Sequence, residues 1–120
     1  MAESILKSKS YDFGLKIVKT IYKLQSERKE FILTKQLLRS GTAIGALIEE
    51  AGNGESTRDF IHKLAISNKE ANESRYWLSL LRDSELLEED VANNLILDVE
   101  EIIKMLVASI KTSRIKLEKT

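Results

Sequence analysis

Few residues in this chain are of the types that do chemistry, and their spacing limits what they can do. Acidic neighbours occur at Glu49/Glu50 and in Glu88-Glu89-Asp90, residue types suited to general acid–base work. Consecutive helical residues point about 100° apart, so neither set converges on one reacting atom. The second set instead complements the positive end of a helix dipole, as Lys111, Arg114, Lys116 and Lys119 complement a negative end. There is no cysteine and a single histidine, His62. That excludes disulfides, thiolate metal sites, cysteine nucleophiles and histidine triads. No partner stands at metal-ligand spacing from His62, which reads as solvated. Neither a glycine-rich phosphate loop nor an RNA-reading motif occurs. The sequence thus predicts no catalytic residue, no metal and no cofactor, hence a non-enzyme.

The basic residues are better organised. Lys9, Lys16 and Lys23 recur every seven residues with Lys19 nearby, and Lys104 and Lys111 repeat the spacing later, extended by Arg114. On adjacent helices these residues would form a lateral strip that holds RNA or DNA phosphates without reading bases. Solvated surface lysines are the plainer reading, because 19 basic residues balance 19 acidic ones. Both readings stay open at this level. Arg75 and Asn68 fall near an apolar helix side. There Arg75 either spreads its stem over apolar surface or pairs with an acid across a bundle or subunit boundary. Trp77 and Phe60 read as core or interface anchors.

These side chains must be positioned by helices. The chain has 120 residues, one domain's worth, with 42% hydrophobic and 32% charged residues and no proline. Such a balance excludes intrinsic disorder, and the missing proline favours long unbroken helices. Apolar residues at spacings of three and four predict four helices at roughly 10–26, 34–52, 56–82 and 88–115. The stripes are Phe13, Ile17, Ile21, Leu24; Leu37, Gly41, Ile44, Ile48, Ala51; Phe60, Leu64, Ala71, Leu78, Leu81; and Leu95, Val99, Ile102, Leu106. Thr34 is a candidate N-cap, Gly52-Asn53-Gly54 a terminator, and Ser56-Thr57-Arg58-Asp59 a capping box. Strand patterns are poor. Short connections between long helices predict an all-α, antiparallel up-and-down four-helix bundle. No window approaches 18 consecutive apolar residues and the start lacks a signal-peptide pattern, so the expectation is a cytoplasmic protein with no membrane span.

The helix faces are wider than one copy needs. The apolar arc of the fourth helix spans roughly 160° from Val91 to Val107, against somewhat more than 100° for a bundle helix. Ile66, Tyr76 and Leu80 fall opposite the Phe60/Leu64 face of the third helix. On the second helix Arg39, Ala43, Ala46 and Glu50 form a shallow row edged by opposite charges. It is read either as a solvated face or as a subunit contact in which Arg39 and Glu50 pair with a neighbour's charges. The pattern predicts self-association.

The middle of the chain carries a composite motif. Leu38-Arg39-Ser40-Gly41-Thr42-Ala43-Ile44-Gly45-Ala46 is followed by Ile48-Glu49-Glu50-Ala51, then Ser56 and Asp59-Phe60. Lys69-Glu70-Ala71, Glu73-Ser74 and Arg75-Tyr76-Trp77-Leu78 complete it. This motif resembles that of the small four-helix bundle proteins encoded in intervening sequences of bacterial 23S ribosomal RNA genes. The accessory variability proteins of diversity-generating retroelements are related to these. The resemblance implies a bundle that assembles into a ring-like homopentamer with no established enzymatic activity. In the retroelement branch it implies a basic surface for nucleic acid and a reverse transcriptase. Its typical polar positions map to Arg39, Glu50, Ser56, Asp59, Glu70 and Glu73. Leu47 stands where the family often has Asn, and the neutral charge departs from the basic retroelement proteins. The functional expectation is therefore a non-enzymatic homo-oligomeric scaffold whose first partner is itself. Its alternative is a sequence-nonspecific RNA- or DNA-binding accessory protein.

Overall fold

The computed structural model describes residues 2–119. They form four helices, α1 (Ala2–Arg28), α2 (Leu33–Gly52), α3 (Thr57–Asp83) and α4 (Glu89–Glu118). Each packs against its neighbours in order and α4 closes back on α1, while the diagonal pairs do not approach one another. Cross-helix partners fix the directions. Ser10 lies against Gly45 and Ile17 against Gly41; Ser74 bonds Ser40 and Ser67 bonds Ile44. Arg75 faces Glu100 and Arg82 faces Asn93; Lys9 faces Glu101 and Lys16 faces Asp98. In every pair one number rises as the other falls, so all neighbours are antiparallel. The rod measures 53 × 21 × 20 Å.

The predicted stripes form the core. Phe13, Ile17, Ile21, Leu37, Ile44, Leu64, Leu78, Leu81, Val99, Ile102 and Leu106 are buried, each removing roughly 1.5–3 kcal/mol of apolar surface from water. Phe60 is only half-buried. The first helix starts at Ala2, not near Ser10. Leu6 stands one heptad before Phe13 on the same face and is buried, so its burial extends the helix through a polar stretch. The fourth helix runs three residues beyond the expected 115.

Two ends differ from expectation. Thr34 does not cap α2; its hydroxyl donates to the Glu30 carbonyl at 2.8 Å and is buried. The Glu30 carboxylate caps instead, accepting from the backbone N–H groups of Ile32 (2.9 Å), Leu33 (2.5 Å) and Thr34 (3.4 Å), the free donors at a helix start. At the Gly52-Asn53-Gly54 terminus no glycine has positive φ. Gly54 is needed for space: a Cβ there would stand 2.8 Å from Asp59 Oδ2 and 3.0 Å from the Ala51 carbonyl. Among the described residues the left-handed ones are Lys29 (φ 54°) and Glu85 (φ 63°), in the breaks that lack glycine. Glu85 completes a Schellman motif: Leu86 N–H donates to Leu81 O and Glu85 N–H to Arg82 O, both 3.0 Å. Arg28 steadies that turn by donating to the Glu85 and Leu86 carbonyls at 2.9 and 3.3 Å.

Candidate functional site

The densest polar constellation lies on the α2/α3 seam. Small residues let the two helices approach: Ser67 Oγ donates to the main-chain carbonyl of Ile44 at 2.9 Å, and Ser74 Oγ lies 2.9 Å from Ser40 Oγ. Both pairs are buried, so their bonds satisfy groups that would otherwise be costly. At the seam's outer edge Arg39 reaches from α2 to two acids one turn apart on α3. It donates to Glu70 Oε2 at 3.1 Å and closely to Glu73 Oε2. Trp77 Nε1 donates to the same Glu73 oxygen at 3.0 Å. The hydrogen bonds it donates to Glu70 and then Glu73 raise the Arg39 guanidinium above its ordinary range. The Trp77 N–H, followed by Arg39, holds the Glu73 carboxyl below its own. Glu70 Oε1 is buried with no hydrogen-bond partner. Further along the seam Lys63 reaches Glu50 at 3.2 Å. Each of these acids is tied to a cation, so the seam serves as a clamp rather than an acid–base pair.

The row Arg39–Ala43–Ala46–Glu50 is divided by this arrangement. Arg39 and Glu50 each hold a partner within the chain. Ala43 is half-buried and Ala46 exposed. On α3, Ile66 is half-buried, while Tyr76 and Leu80 are 58% and 37% exposed. Tyr76 sets its ring edge-on to Trp77, centroids 5.3 Å apart. Ser56 accepts from the Asp59 N–H at 3.1 Å, as the capping box predicts.

The basic strips are broken. α1 and α4 are adjacent and antiparallel, but the residues facing Lys9 and Lys16 are Glu101 at 2.5 Å and Asp98 at 3.0 Å. The Glu101 hydrogen bond raises the Lys9 ammonium above its ordinary value. Lys19 and Lys23 share a shallow groove with Glu27, Glu85 and Glu88. Lys104 is exposed, and Lys111 and Arg114 edge a groove that also holds Val107, Ile115 and Glu118. His62 is exposed. Arg75 donates to Asn72 at 2.8 Å and lies 3.7 Å from Glu100 on α4, the cross-bundle pairing that the sequence left open. Among the described residues no three His, Asp or Glu side chains are grouped to hold a metal ion. No helix among them is long and apolar enough to cross a membrane.

Sequence reading missed the outer surface of α1. Tyr11, Leu15 and Tyr22 are 70%, 43% and 62% exposed. Tyr11 and Leu15, with Gly14, Val18, Thr42, Gly45 and Ala46, line a largely apolar groove of about 360 Å³ between α1 and α2, with Lys7 and Glu49 also on its lining; Tyr22 lies outside it. The spacing Tyr11, Leu15, Val18, Tyr22 is itself a helical stripe, overshadowed by the more strongly apolar core stripe beside it.

Residues 2–108 match the family of 23S rRNA-intervening sequence proteins. The chain belongs to that family. It is also similar to a crystallised protein of unknown function from the S23 ribosomal protein family of Bacteroides thetaiotaomicron. The two share 45% identity and a TM-score of 0.90, covering 92% of this chain and 99% of that one. No curated protein matches. In this 23S rRNA-intervening sequence protein the motif positions Arg39, Glu70 and Glu73 meet in the clamp, and Glu50 joins Lys63 on the same seam. Ser56 and Asp59 serve the α3 cap. Leu47 is half-buried. The family's function is unknown, and nothing in the comparison points to catalysis.

Proposed function

We propose that this member of the family is a non-enzymatic homo-oligomeric scaffold. The observation that carries the reading is the outer apolar surface: Tyr11, Leu15 and Tyr22 on α1, Tyr76 and Leu80 on α3, and Leu97 on α4, all 37% exposed or more. A short chain with a full core gains nothing from large apolar side chains in water; Tyr11 and Leu15 line the α1/α2 groove, and such exposed apolar surface supports a contact role. A ring of five copies is what the family resemblance implies. Light scattering on the purified protein tests assembly: a mass several times 13.6 kDa is expected, and a monomer at tens of micromolar would overturn the reading.

Nucleic-acid binding through the lysine strips has weaker support, because Lys9 and Lys16 already hold acidic partners and Lys19 and Lys23 sit among acids. Filter binding to structured RNA at two salt concentrations separates the readings. Tight binding that falls steeply with salt would favour the nucleic-acid role.

A further inference from the structure

Gly14 sits in the middle of α1, where glycine weakens a helix, yet a Cβ there would meet nothing within 4 Å. No close approach inside the chain explains it, unlike Gly41, whose Cβ would press on Ile17 at 3.0 Å. Gly14 lines the α1/α2 groove, level with Thr42 on the far wall. The open space above it is therefore suited to a group from outside.

The α2 wall carries a charge pattern of which Thr42 and Glu49 line the groove, with Lys7 on the same lining, and Lys35 lies beyond it. Lys35, Thr42 and Glu49 recur at seven-residue spacing and all are exposed, placing a cation and an anion about 21 Å apart on one face. The outward face of α3 carries the same spacing and order of sign in Lys69, Tyr76 and Asp83, also all exposed. Among the described residues Lys35, Glu49 and Lys69 form no ion pair, and Asp83 pairs only with its sequence neighbour Arg82. Laid antiparallel, the two faces match: cation meets anion at both ends, and the exposed tyrosine meets the threonine beside Gly14. Laid parallel, like charges meet.

We propose that the α3 face of one copy docks antiparallel to α2 in the α1/α2 groove of a second copy. Lys69 of one then faces Glu49 of the other, Asp83 faces Lys35, and Tyr76 fills the space over Gly14. The inference rests on the homo-oligomeric reading and adds its partner surfaces and register. Groove and ridge lie on different helices, so each copy offers one of each and the contact is head-to-tail. Such contacts close into a ring or run on as a filament.

The test is charge reversal followed by exchange, with helical content checked by circular dichroism. The double variant Lys69→Glu/Asp83→Lys is expected to weaken assembly at least tenfold, and adding Lys35→Glu/Glu49→Lys to restore it. In a second experiment Gly14→Leu blocks the groove and Tyr76→Glu blocks the ridge. Each variant alone is expected to stay monomeric, while the mixture forms a two-chain complex through its one intact groove and ridge. A wild-type oligomer unmoved by charge reversal, or a mixture that does not associate, overturns the docking while leaving self-association standing. A wild-type monomer overturns both.

Discussion

Ile17 on α1 lies against Gly41 on α2 so closely that a Cβ on the glycine would stand 3.0 Å from two of its side-chain carbons. Ile17 is fully buried and has no room to retreat. Gly45, one turn on, differs: its Cβ would sit at 3.4 Å from Ser10, an ordinary contact. Both positions gain about 1 kcal/mol of helix propensity when glycine becomes alanine. For Gly41→Ala the crowding outweighs this gain, and a net loss of about 1–2 kcal/mol is expected. For Gly45→Ala a change between zero and about 1 kcal/mol of stabilisation is expected. Urea denaturation of the two variants side by side checks the contrast.

The left-handed Glu85 and Lys29 carry steric strain that glycine lacks. Glu85→Gly keeps the Schellman bonds, which are backbone only, and removes a penalty of about 1–2 kcal/mol. Added chain entropy in the unfolded state offsets part of this. A net gain of about 0.5–1 kcal/mol, seen as a raised thermal midpoint, is the expected outcome. A lowered midpoint would show that the Glu85 side chain has a role its backbone does not reveal.

Glu30 accepts from three backbone N–H groups at the start of α2. Glu30→Ala leaves them without a protein acceptor and should cost about 1–2 kcal/mol. Thr34→Val, by contrast, tests the hydroxyl's bonds to the Glu30 carbonyl and Gln25 and should cost about 1 kcal/mol. A negligible loss in Glu30→Ala would argue against Glu30 as the cap.

The Arg39 clamp makes stability depend on pH in acid. Glu73 is held below its ordinary value by Trp77 and then Arg39, so the unfolded chain takes up a proton at higher pH than the folded one. Stability from this group is complete above the ordinary glutamate value of about 4.3 and is lost as pH falls through the depressed value. Trp77→Phe removes the indole donor and is expected to flatten that loss as pH falls below the ordinary glutamate value, measured by denaturant midpoints. Arg39→Ala at neutral pH leaves two half-covered acids one turn apart and should cost about 1–2 kcal/mol, between surface and buried pairs. Arg39→Lys should recover only part of it, because an ammonium cannot present the guanidinium's paired donors.

Sequence alone determined the four helices, their core stripes and the α3 cap, because helical periodicity and a Ser-to-Asp spacing are local and repeat along the chain. It also held the motif that places the chain in its family. Only the tertiary structure decided which charges meet. Arg39 could as well have faced solvent or a neighbour until α2 and α3 were set in register, and Lys9 and Lys16 looked like a basic strip until Glu101 and Asp98 lay across from them. The start of α1 and the exposed groove along it followed the same rule. Leu6 and Tyr11 are both apolar residues on one helix, and the placement of α2 and α4 around α1 buries the first and leaves the second in water. Periodicity gives each residue an angle on its own helix, but burial and pairing depend on what stands opposite.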